Sequence, residues 1–474
     1  MATPKSRPVG GTEYGLWRAV PGGTGIAVLA LLVSKAPDIL RLQNAIDKLQ
    51  NLHPILKSRL ILHSNTVSFN TSPAPFVQIK SHSTLECLSS PENHSNISPF
   101  HLVLEHELNQ NTWSSSCSNT ADMLFFASIY ALPNTKWVVV LRLHLSAFDR
   151  TTAASLLREL LVLMGEGEEG EETHKEMAMS LGIEDLIPRG KAKKKALWTR
   201  GVDMLSYSVS SLSLTNLKFQ DPRSPRSSQV VRLQINQSET HRILAGCKSR
   251  GIKLSGALVA AGLIAAYASK RRADNQGKKY GVTTLVDCRS ILDPPLSSHH
   301  FGFYHAAILN THVMKGGEKL WELAQKMYMA FANSKKCNKH LSDMADLNFL
   351  MCKAIENPGL TPASSLRVSF MSVFEDPVII NDHDHDQPAT DQLGLEDYMW
   401  CASVHGVGPS IAIFDTIRDG CLDCACVYPA PLHSREQIQE LVDTMKAVLV
   451  DGGNHVQETY MHHASCMADG SVGS

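Results

Sequence analysis

Two apolar segments joined by a short turn lead directly into an amphipathic helix in the N-terminal part of the chain. The segments 123–132 and 137–144 are rich in aromatic and β-branched residues, and the turn-forming Pro133-Asn134-Thr135 lies between them, so they predict a hairpin. Apolar residues then recur at helical spacing from Thr151 to Met164. A hairpin that continues into a helix requires a sheet with a helix packed on its face, which predicts an α+β fold.

A strand–helix series of this kind occurs twice along the chain. The first has a buried strand at 24–34 and a helix from Ala36, and the second starts with a strand at Gln229. An acidic stretch, a basic run and a Ser- and Pro-rich segment separate the two series. A chain of 474 residues exceeds what one hydrophobic core normally holds. We therefore expect an N-terminal domain over 1–190, a linker over 191–226 and a C-terminal domain over 227–474.

The charge balance and the apolar segments exclude several classes of partner. Lys and Arg total 45 and Asp and Glu total 46, so the chain has a net charge of −1 rather than the basic excess of a nucleic-acid-binding protein. The longest early apolar run, 26–33, is too short to span a membrane. The N-terminal residues do not form a signal-like apolar stretch, and the eleven cysteines lack paired spacing. We expect a cytoplasmic protein with small-molecule partners, no nucleic acid and no membrane span.

Four motifs occur in a recognisable order along the chain. They are His53-Pro54-Ile55-Leu56, the pair His144 and Asp149, Val286-Asp287-Cys288-Arg289, and Gly408-Pro409-Ser410 before a C-terminal hairpin. In order and spacing they resemble the superfamily of CoA-dependent acyltransferases and peptide-synthetase condensation domains, which has a chloramphenicol-acetyltransferase-like fold. The DFGWG signature of the plant BAHD acyltransferases is absent, and residues 405–409 stand in that region. The resemblance is therefore closer to the alcohol-acetyltransferase-like branch, which is related to the BAHD enzymes.

This resemblance implies two α+β domains whose mixed sheets are covered by helices, with a channel at the interface. It implies transfer of an acyl group from a thioester to a hydroxyl or amine of a small-molecule acceptor. Acyl-CoA is then a co-substrate, and no cofactor is permanently bound. The motif histidine, here His144, would act as general base, because an imidazole titrates near neutral pH. Asp149 would be structural and pair with Arg289, and the protein would be a monomer, as most members of the branch are.

The histidine spacing departs from the resembled motif. That motif is HxxxD, whereas His144 and Asp149 follow HxxxxD, so Leu145 aligns with the catalytic position. The residue after the aspartate is Arg150, where the resembled motif has a glycine. Successive residues of a strand point to opposite faces, so His144 would need a β-bulge to reach the channel.

Three explanations of this spacing remain open. In the first, a bulge re-aims His144 into the channel. In the second, the enzyme uses another base, for which His300 and His305 are candidates in the channel. Otherwise His144 is a hydrogen-bonded structural histidine, and the protein is a catalytically inactive ligand-binding or scaffolding relative. The position of the His144 imidazole relative to the channel distinguishes these explanations.

The cysteine-rich segment near the C-terminus is not interpreted as a metal site. Cys421, Cys424 and Cys426 have CxxCxC spacing, but no second motif nearby completes a set of four ligands. On a strand, Cys424 and Cys426 share one face, which is typical of buried apolar cysteines. The alternating Asp and His residues at 382–386 are interpreted as a polar loop, so no metal is expected.

Overall fold

The computed structural model describes residues 6–64, 66–83, 97–114, 122–165, 179, 181–191, 214–269, 277–360, 365–380 and 394–469. In this part of the chain the strands assemble into three sheets. The helices are α1 Gly11–Ala19, α2 Ile39–Leu52, α3 Pro99–Asn109, α4 Arg150–Gly165, α5 Gln237–Ser249, α6 Leu254–Ala268, α7 Leu320–Lys336, α8 Lys339–Ser342, α9 Met344–Glu356 and α10 Arg435–Asp469. The strands are β1 Ser6–Pro8, β2 Thr24–Val33, β3 Ser58–His63, β4 Thr66–Thr71, β5 Ile79–Ser83, β6 Asp122–Met123, β7 Phe125–Leu132, β8 Lys136–His144, β9 Ser227–Ile235, β10 Lys278–Asp287, β11 His305–Met314, β12 Arg367–Phe374, β13 Val378–Ile380, β14 Leu395–Val404, β15 Gly408–Arg418 and β16 Cys421–Ala430.

The N-terminal half is built on a five-stranded sheet of order β14-β2-β8-β7-β5. The predicted hairpin is confirmed, since β7 and β8 pair antiparallel around a turn at Pro133–Thr135. Strand β2 is buried on both faces because alternate residues enter two different clusters. Leu29 and Leu31 pack with α2 and α4, whereas Val28 and Ala30 pack with α3. Helix α4, which follows the hairpin, is thereby held against one face of the sheet.

Strand β14 belongs to the C-terminal half in sequence but to the N-terminal sheet in space. It pairs antiparallel with β2, and Trp400 lies opposite Leu29. The face of this sheet that packs against α3 also packs against the C-terminal sheet, because Val230 and Val427 share a buried cluster with Val28. The two halves are therefore joined by a paired strand and by a common apolar cluster.

The C-terminal half contains a larger sheet of order β11-β10-β12-β15-β16-β9, with β13 paired to β15. Helices α5, α6, α7 and α10 contribute Ile243, Leu258, Met327 and Leu441 to one cluster on this sheet. A third, small sheet has the order β1-β4-β3-β6. Parallel and antiparallel pairs both occur in the C-terminal sheet. The expected α+β class with mixed sheets and packed helices is confirmed.

Several element boundaries differ from those expected from the sequence. Helix α2 begins at Ile39 rather than near Ala36, because the Asp38 side chain accepts hydrogen bonds from the backbone of Leu40 and Arg41. The Ser-, Asn- and Cys-rich composition of residues 81–120 predicts mostly loop, but helix α3 lies in this stretch and Ser98 caps it. The apolar spacing predicts a last helix over 434–449, but helix α10 continues to Asp469.

Two expected segments lie mostly or wholly outside the described residues. Of the predicted linker at 191–226, residues 192–213 fall there, and so does the whole polar segment 382–386. Among the residues that are described, no single helix has both the length and the apolar composition needed to cross a membrane. The successive helices α5 and α6 meet such a test only as a pair, and they are bent by 106° relative to each other.

Candidate active site at the junction of the two halves

The start of helix α4 is fixed against the C-terminal half by a set of short polar contacts. The Asp149 carboxylate caps the helix by accepting the backbone N–H of Thr152 at 2.8 Å. The Thr152 hydroxyl donates to the carbonyl of Gly302 at 2.9 Å, and the Thr151 hydroxyl donates to Asp287 at 2.7 Å. Since Gly302 and Asp287 belong to the C-terminal half, the motif loop after β8 lies at the junction of the two halves.

Asp149 and Arg289, which were expected to pair, form a bidentate ion pair with distances of 2.8 and 2.9 Å. The carboxylate is 1% exposed and also accepts the backbone N–H of Tyr304 at 2.8 Å. Burial alone would raise the pKa of Asp149, but the charge of Arg289 and the hydrogen bond from His305 hold that pKa well below its usual range. Asp149 is therefore ionised and joins the helix start to the second half.

His305, one of the two candidate channel histidines, contacts the same carboxylate. Its Nδ1 lies 3.1 Å from Asp149 Oδ2, and the side chain is 6% exposed. An ionised carboxylate can only accept a hydrogen bond, so Nδ1 is the protonated nitrogen. In the neutral ring Nε2 then carries the free lone pair. The ring also makes an edge contact with Phe374 at a centroid distance of 5.6 Å.

His144, the candidate catalytic base, is held differently. It is the last residue of β8, and its ring partners Ser146 and Trp113 both belong to the N-terminal half. Nδ1 lies 3.2 Å from the backbone nitrogen of Ser146 and 2.8 Å from its hydroxyl. A backbone N–H can only donate, so Nδ1 is unprotonated and the neutral ring carries its proton on Nε2. Burial lowers the pKa of His144 to about 3, which keeps the ring neutral at pH 7.

The β-bulge that could re-aim His144 is not found. The pairing of β8 with β2 keeps one register from Trp137 opposite Val33 to His144 opposite Ile26. The explanation that relied on a bulge is therefore wrong. Leu145, in the position aligned with the catalytic histidine, packs with its Cβ 2.9 Å from the site where a Cβ on Gly25 would lie. This close approach requires a glycine there, which also has a φ of +91°.

Arg150, which stands where the resembled motif has a glycine, forms a second buried ion pair across the junction. Its Nη1 donates to Asp415 Oδ1 at 2.9 Å, and its Nη2 donates to the Asp415 carbonyl. The guanidinium lies 4.2 Å from the ring centroid of Phe374. Burial raises the pKa of Asp415, and the charge of Arg150 partly counteracts this rise. Two ion pairs from adjacent residues thus fix the start of α4 to the C-terminal sheet.

A narrow cleft lies beside Arg150, between helix α4 and strands β2, β14, β15 and β16. Its cavity volume is about 30 Å³, which is room for roughly two water molecules. Its walls are mainly apolar and include Leu157 and Phe414. Two buried polar atoms of wall residues, Tyr398 Oη and Trp400 Nε1, have no hydrogen-bond partner within the described part of the chain. The cleft is therefore mainly apolar, and two of its wall residues have buried polar groups that are unpaired within the described ranges.

The remaining histidines of the junction form a separate group around Glu159 of helix α4. His53 Nε2 lies 2.5 Å from one carboxylate oxygen and His299 Nδ1 lies 3.0 Å from the other. The His53 ring stacks on Phe301 at 3.6 Å. His300, the other candidate channel histidine, is bonded to Ser297 rather than to Asp149. Of the two candidates, only His305 is thus joined to the motif aspartate.

The pairing of His53 with Glu159 was not predicted from the sequence, because the two residues are 106 positions apart. His53 is the first residue of the HPIL motif, and a polar residue at the end of a helix in that motif was a signal for a specific partner.

Among the residues that the structure describes, the other histidines and the cysteines do not form a metal site. Burial, followed by the charge of Arg289, lowers the pKa of His300. In the described ranges, no group of three or more His, Cys, Asp or Glu side chains is arranged to hold a metal ion. Cys424 and Cys426 are buried in β16.

Comparisons with known proteins agree with this architecture. A family described as phthiocerol/phthiodiolone dimycocerosyl transferase C-terminus matches residues 224–333. No curated protein sequence matches the chain. Polyketide synthase associated protein 5 from Mycobacterium tuberculosis has 15% identity and a TM-score of 0.65, over 95% of this chain and 98% of that one.

Two further solved structures have the same arrangement. Trichothecene 15-O-acetyltransferase TRI3 from Fusarium sporotrichioides has 12% identity and a TM-score of 0.68, over 94% of this chain and 95% of that one. The X-domain from teicoplanin biosynthesis has 15% identity and a TM-score of 0.59, over 96% of both chains. The chain thus has the two-lobed fold of condensation domains and CoA-dependent acyltransferases, as its motifs implied.

Proposed function

We propose that this protein is an acyltransferase that moves an acyl group from a thioester donor to a hydroxyl or amine of a small-molecule acceptor. The observation that carries the proposal is the buried cluster of Asp149, Arg289 and His305 at the junction of the two lobes. A buried, ionised carboxylate that holds an imidazole is an arrangement suited to proton transfer. The match to an acyltransferase family over residues 224–333 and the fold of the relatives support the same reaction.

In this reaction a base accepts the proton of the acceptor while its oxygen or nitrogen attacks the thioester carbonyl. The tetrahedral intermediate then collapses and releases the thiol. We propose acyl-CoA as the donor, because its thioester has the required reactivity without any cofactor. A thioester on a carrier protein would present the same carbonyl, so a comparison of the two donors belongs in the test.

We propose that the acceptor docks at the cleft beside Arg150 and that the cleft widens when the acceptor binds. Its apolar walls favour a ligand with an apolar body, and Trp400 Nε1 can only donate a hydrogen bond. An acceptor with a carbonyl, ether or hydroxyl oxygen near the indole would pair with this N–H group, which has no partner among the residues that the structure describes. Such pairing is favourable because a buried donor without a partner is costly. We also propose that the protein works as a monomer in the cytoplasm.

The test is to incubate the purified full-length chain with a panel of acyl-CoAs and of apolar alcohols and amines. Mass spectrometry then measures the acylated acceptor, and chromatography measures free CoA. We expect equimolar amounts of both products, in excess of a heat-denatured control. If the folded protein gives no product with any pair, including carrier-bound thioesters, the proposal is wrong.

A second candidate function is non-catalytic binding of a ligand or partner. It is favoured by the Nδ1 contact of His144 with Ser146, by Leu145 in the position aligned with the catalytic histidine, and by the buried Arg150–Asp415 pair. One relative of similar fold, the X-domain, is known in a complex with OxyB, at 15% identity and a TM-score of 0.58. Calorimetry with acyl-CoA separates the two functions, because binding without turnover supports only the second.

A further inference from the structure

We infer that His305 on strand β11 is the catalytic base, and that Asp149 is the residue that positions it. The inference rests on the proposed acyl transfer and assigns the proton-transfer step to a histidine other than the one in the HxxxxD motif. Three observations support it: the tautomer imposed on each histidine, the placement of His305 at the junction, and its connection to the cleft.

The hydrogen bonds decide which ring nitrogen can accept a proton. Asp149 is ionised because Arg289 pairs with it through two bonds, and its Oδ2 accepts from His305 Nδ1. Nε2 of neutral His305 is therefore the basic nitrogen. In His144 the relation is reversed, because the backbone N–H of Ser146 donates to Nδ1 and leaves the proton on Nε2. Of these two imidazoles, only His305 has a lone pair that no group in the described part of the chain uses.

The position of His305 suits a group that meets substrate at the junction. It is the first residue of β11 and pairs with Asp287, the last residue of β10, which is 35% exposed and bonded to Thr151 of helix α4. Solvent thus reaches the end of this strand pair. The imidazole is more exposed than the carboxylate that it contacts, at 6% against 1%. Of the two side chains, Asp149 is thus the more deeply buried.

The cleft beside Arg150 is one side chain away from this base. Phe374 contacts His305 on one side and Phe414, a wall residue of the cleft, on the other, with centroid distances of 5.6 Å in both cases. Arg150 covers the ring of Phe374. The nucleophile of an acceptor bound in the cleft therefore has to pass Phe374 to reach His305 Nε2.

The transfer step balances with these groups alone. Nε2 of His305 accepts the proton of the acceptor hydroxyl or amine, and the acceptor atom forms a bond to the thioester carbonyl carbon. The imidazolium is stabilised by ionised Asp149, which keeps its charge throughout. When the intermediate collapses, the carbon–sulfur bond breaks and the proton on Nε2 passes to the thiolate. The products are an ester or amide and a free thiol, and the histidine is neutral again.

The test uses His305→Asn in the full-length chain, with a donor and acceptor that the wild type turns over. The amide of asparagine can still donate to Asp149, so this variant keeps the positioning contact and removes the base. We expect kcat/KM to fall by about 10²–10⁴-fold, the usual contribution of a general base. His312→Ala is the matched control, because His312 is a buried histidine of the same strand outside the site, and it should stay close to wild type.

Rescue separates a base from a structural histidine. Added imidazole should restore part of the activity of His305→Ala, but it should not affect the His312→Ala control. The inference is overturned if His305→Asn keeps wild-type kcat/KM, or if folded His305→Ala is not rescued while His144→Ala is. A wild type without turnover on any donor and acceptor overturns the proposed function itself, and the inference with it. Loss of activity only in the His305 variants supports both.

Discussion

Replacing Arg289 by methionine tests the buried ion pair that joins the two lobes. Asp149 is 1% exposed, and in Arg289→Met it loses a permanent positive charge while it keeps hydrogen bonds from Thr152, Tyr304 and His305. Loss of one partner of a buried pair leaves an uncompensated charge and typically costs about 3–5 kcal/mol. We expect a loss of unfolding free energy in this range.

The reverse change should cost about as much, although Arg289 has a second acidic partner. In Asp149→Asn the guanidinium still lies 3.2 Å from Asp287, which is partly exposed, and the amide oxygen can still cap Thr152. The amide NH2 that replaces Oδ2 cannot accept a hydrogen bond, so the bonds from Arg289 Nη1, the Tyr304 N–H and His305 Nδ1 are all lost. We therefore expect a loss of about 3–5 kcal/mol here as well. The double variant should be more stable than the sum of the two single losses predicts, because the residues are in direct contact.

Urea unfolding at pH 7.5 measures these losses, and the exposed Lys353–Glu356 pair provides the control. Lys353→Met should cost less than about 1 kcal/mol, as expected of a surface ion pair. The pH dependence of the stability deficit in Arg289→Met is an independent test. Arg289 lowers the pKa of Asp149, so its removal raises that pKa. The deficit is therefore largest at pH 7.5 and decreases as the carboxyl takes up a proton on acidification. Strictly additive losses, or an Arg289→Met deficit that does not decrease on acidification, would refute this reasoning.

Three other residues or pairs give sharp expectations. Because burial lowers the pKa of His144 from 6.5 to about 3, the unfolded chain binds more protons between these values and stability falls as the pH drops. His144→Leu should remove about 2 kcal/mol of the stability lost between pH 7 and pH 5, and an unchanged pH dependence of urea unfolding would contradict this. Arg150→Met should destabilise the protein by about 3–5 kcal/mol because Asp415 stays buried, whereas the double variant Arg150→Met/Asp415→Leu should recover much of that loss in the same assay. Trp400→Phe removes a hydrogen-bond donor that has no partner among the described residues, so thermal unfolding should not change. The KM for the acceptor should rise by roughly 5–20-fold. An unchanged KM would place the acceptor elsewhere.

The sequence predicted those parts of the fold that depend on local pattern. The β7–β8 hairpin and helix α4 were found because strand and helix periodicities are strong there, and the contact of Asp149 with Arg289 was expected from the order of motifs. Helix α3 was missed, although Ser98 followed by proline is a helix start signal, because the surrounding residues are polar.

Other features depend on contacts that no spacing rule predicts. Strand β14 pairs with β2 from the opposite half of the chain, and nothing local to residues 395–404 specifies that partner. The tautomer of His144 depends on the Ser146 amide, and His305 was one of two candidates until its contact with Asp149 was seen. The Arg150–Asp415 pair likewise joins residues that are distant in sequence.

The pH dependence of kcat/KM for acyl transfer tests the identity of the base most directly. With the wild type, the rate should rise as a single group loses its proton, because only neutral His305 can accept the proton of the acceptor. This ascending limb should disappear in His305→Asn and persist in His312→Ala. A limb that is unchanged in His305→Asn but absent in His144→Asn would contradict the assignment and return the base to strand β8.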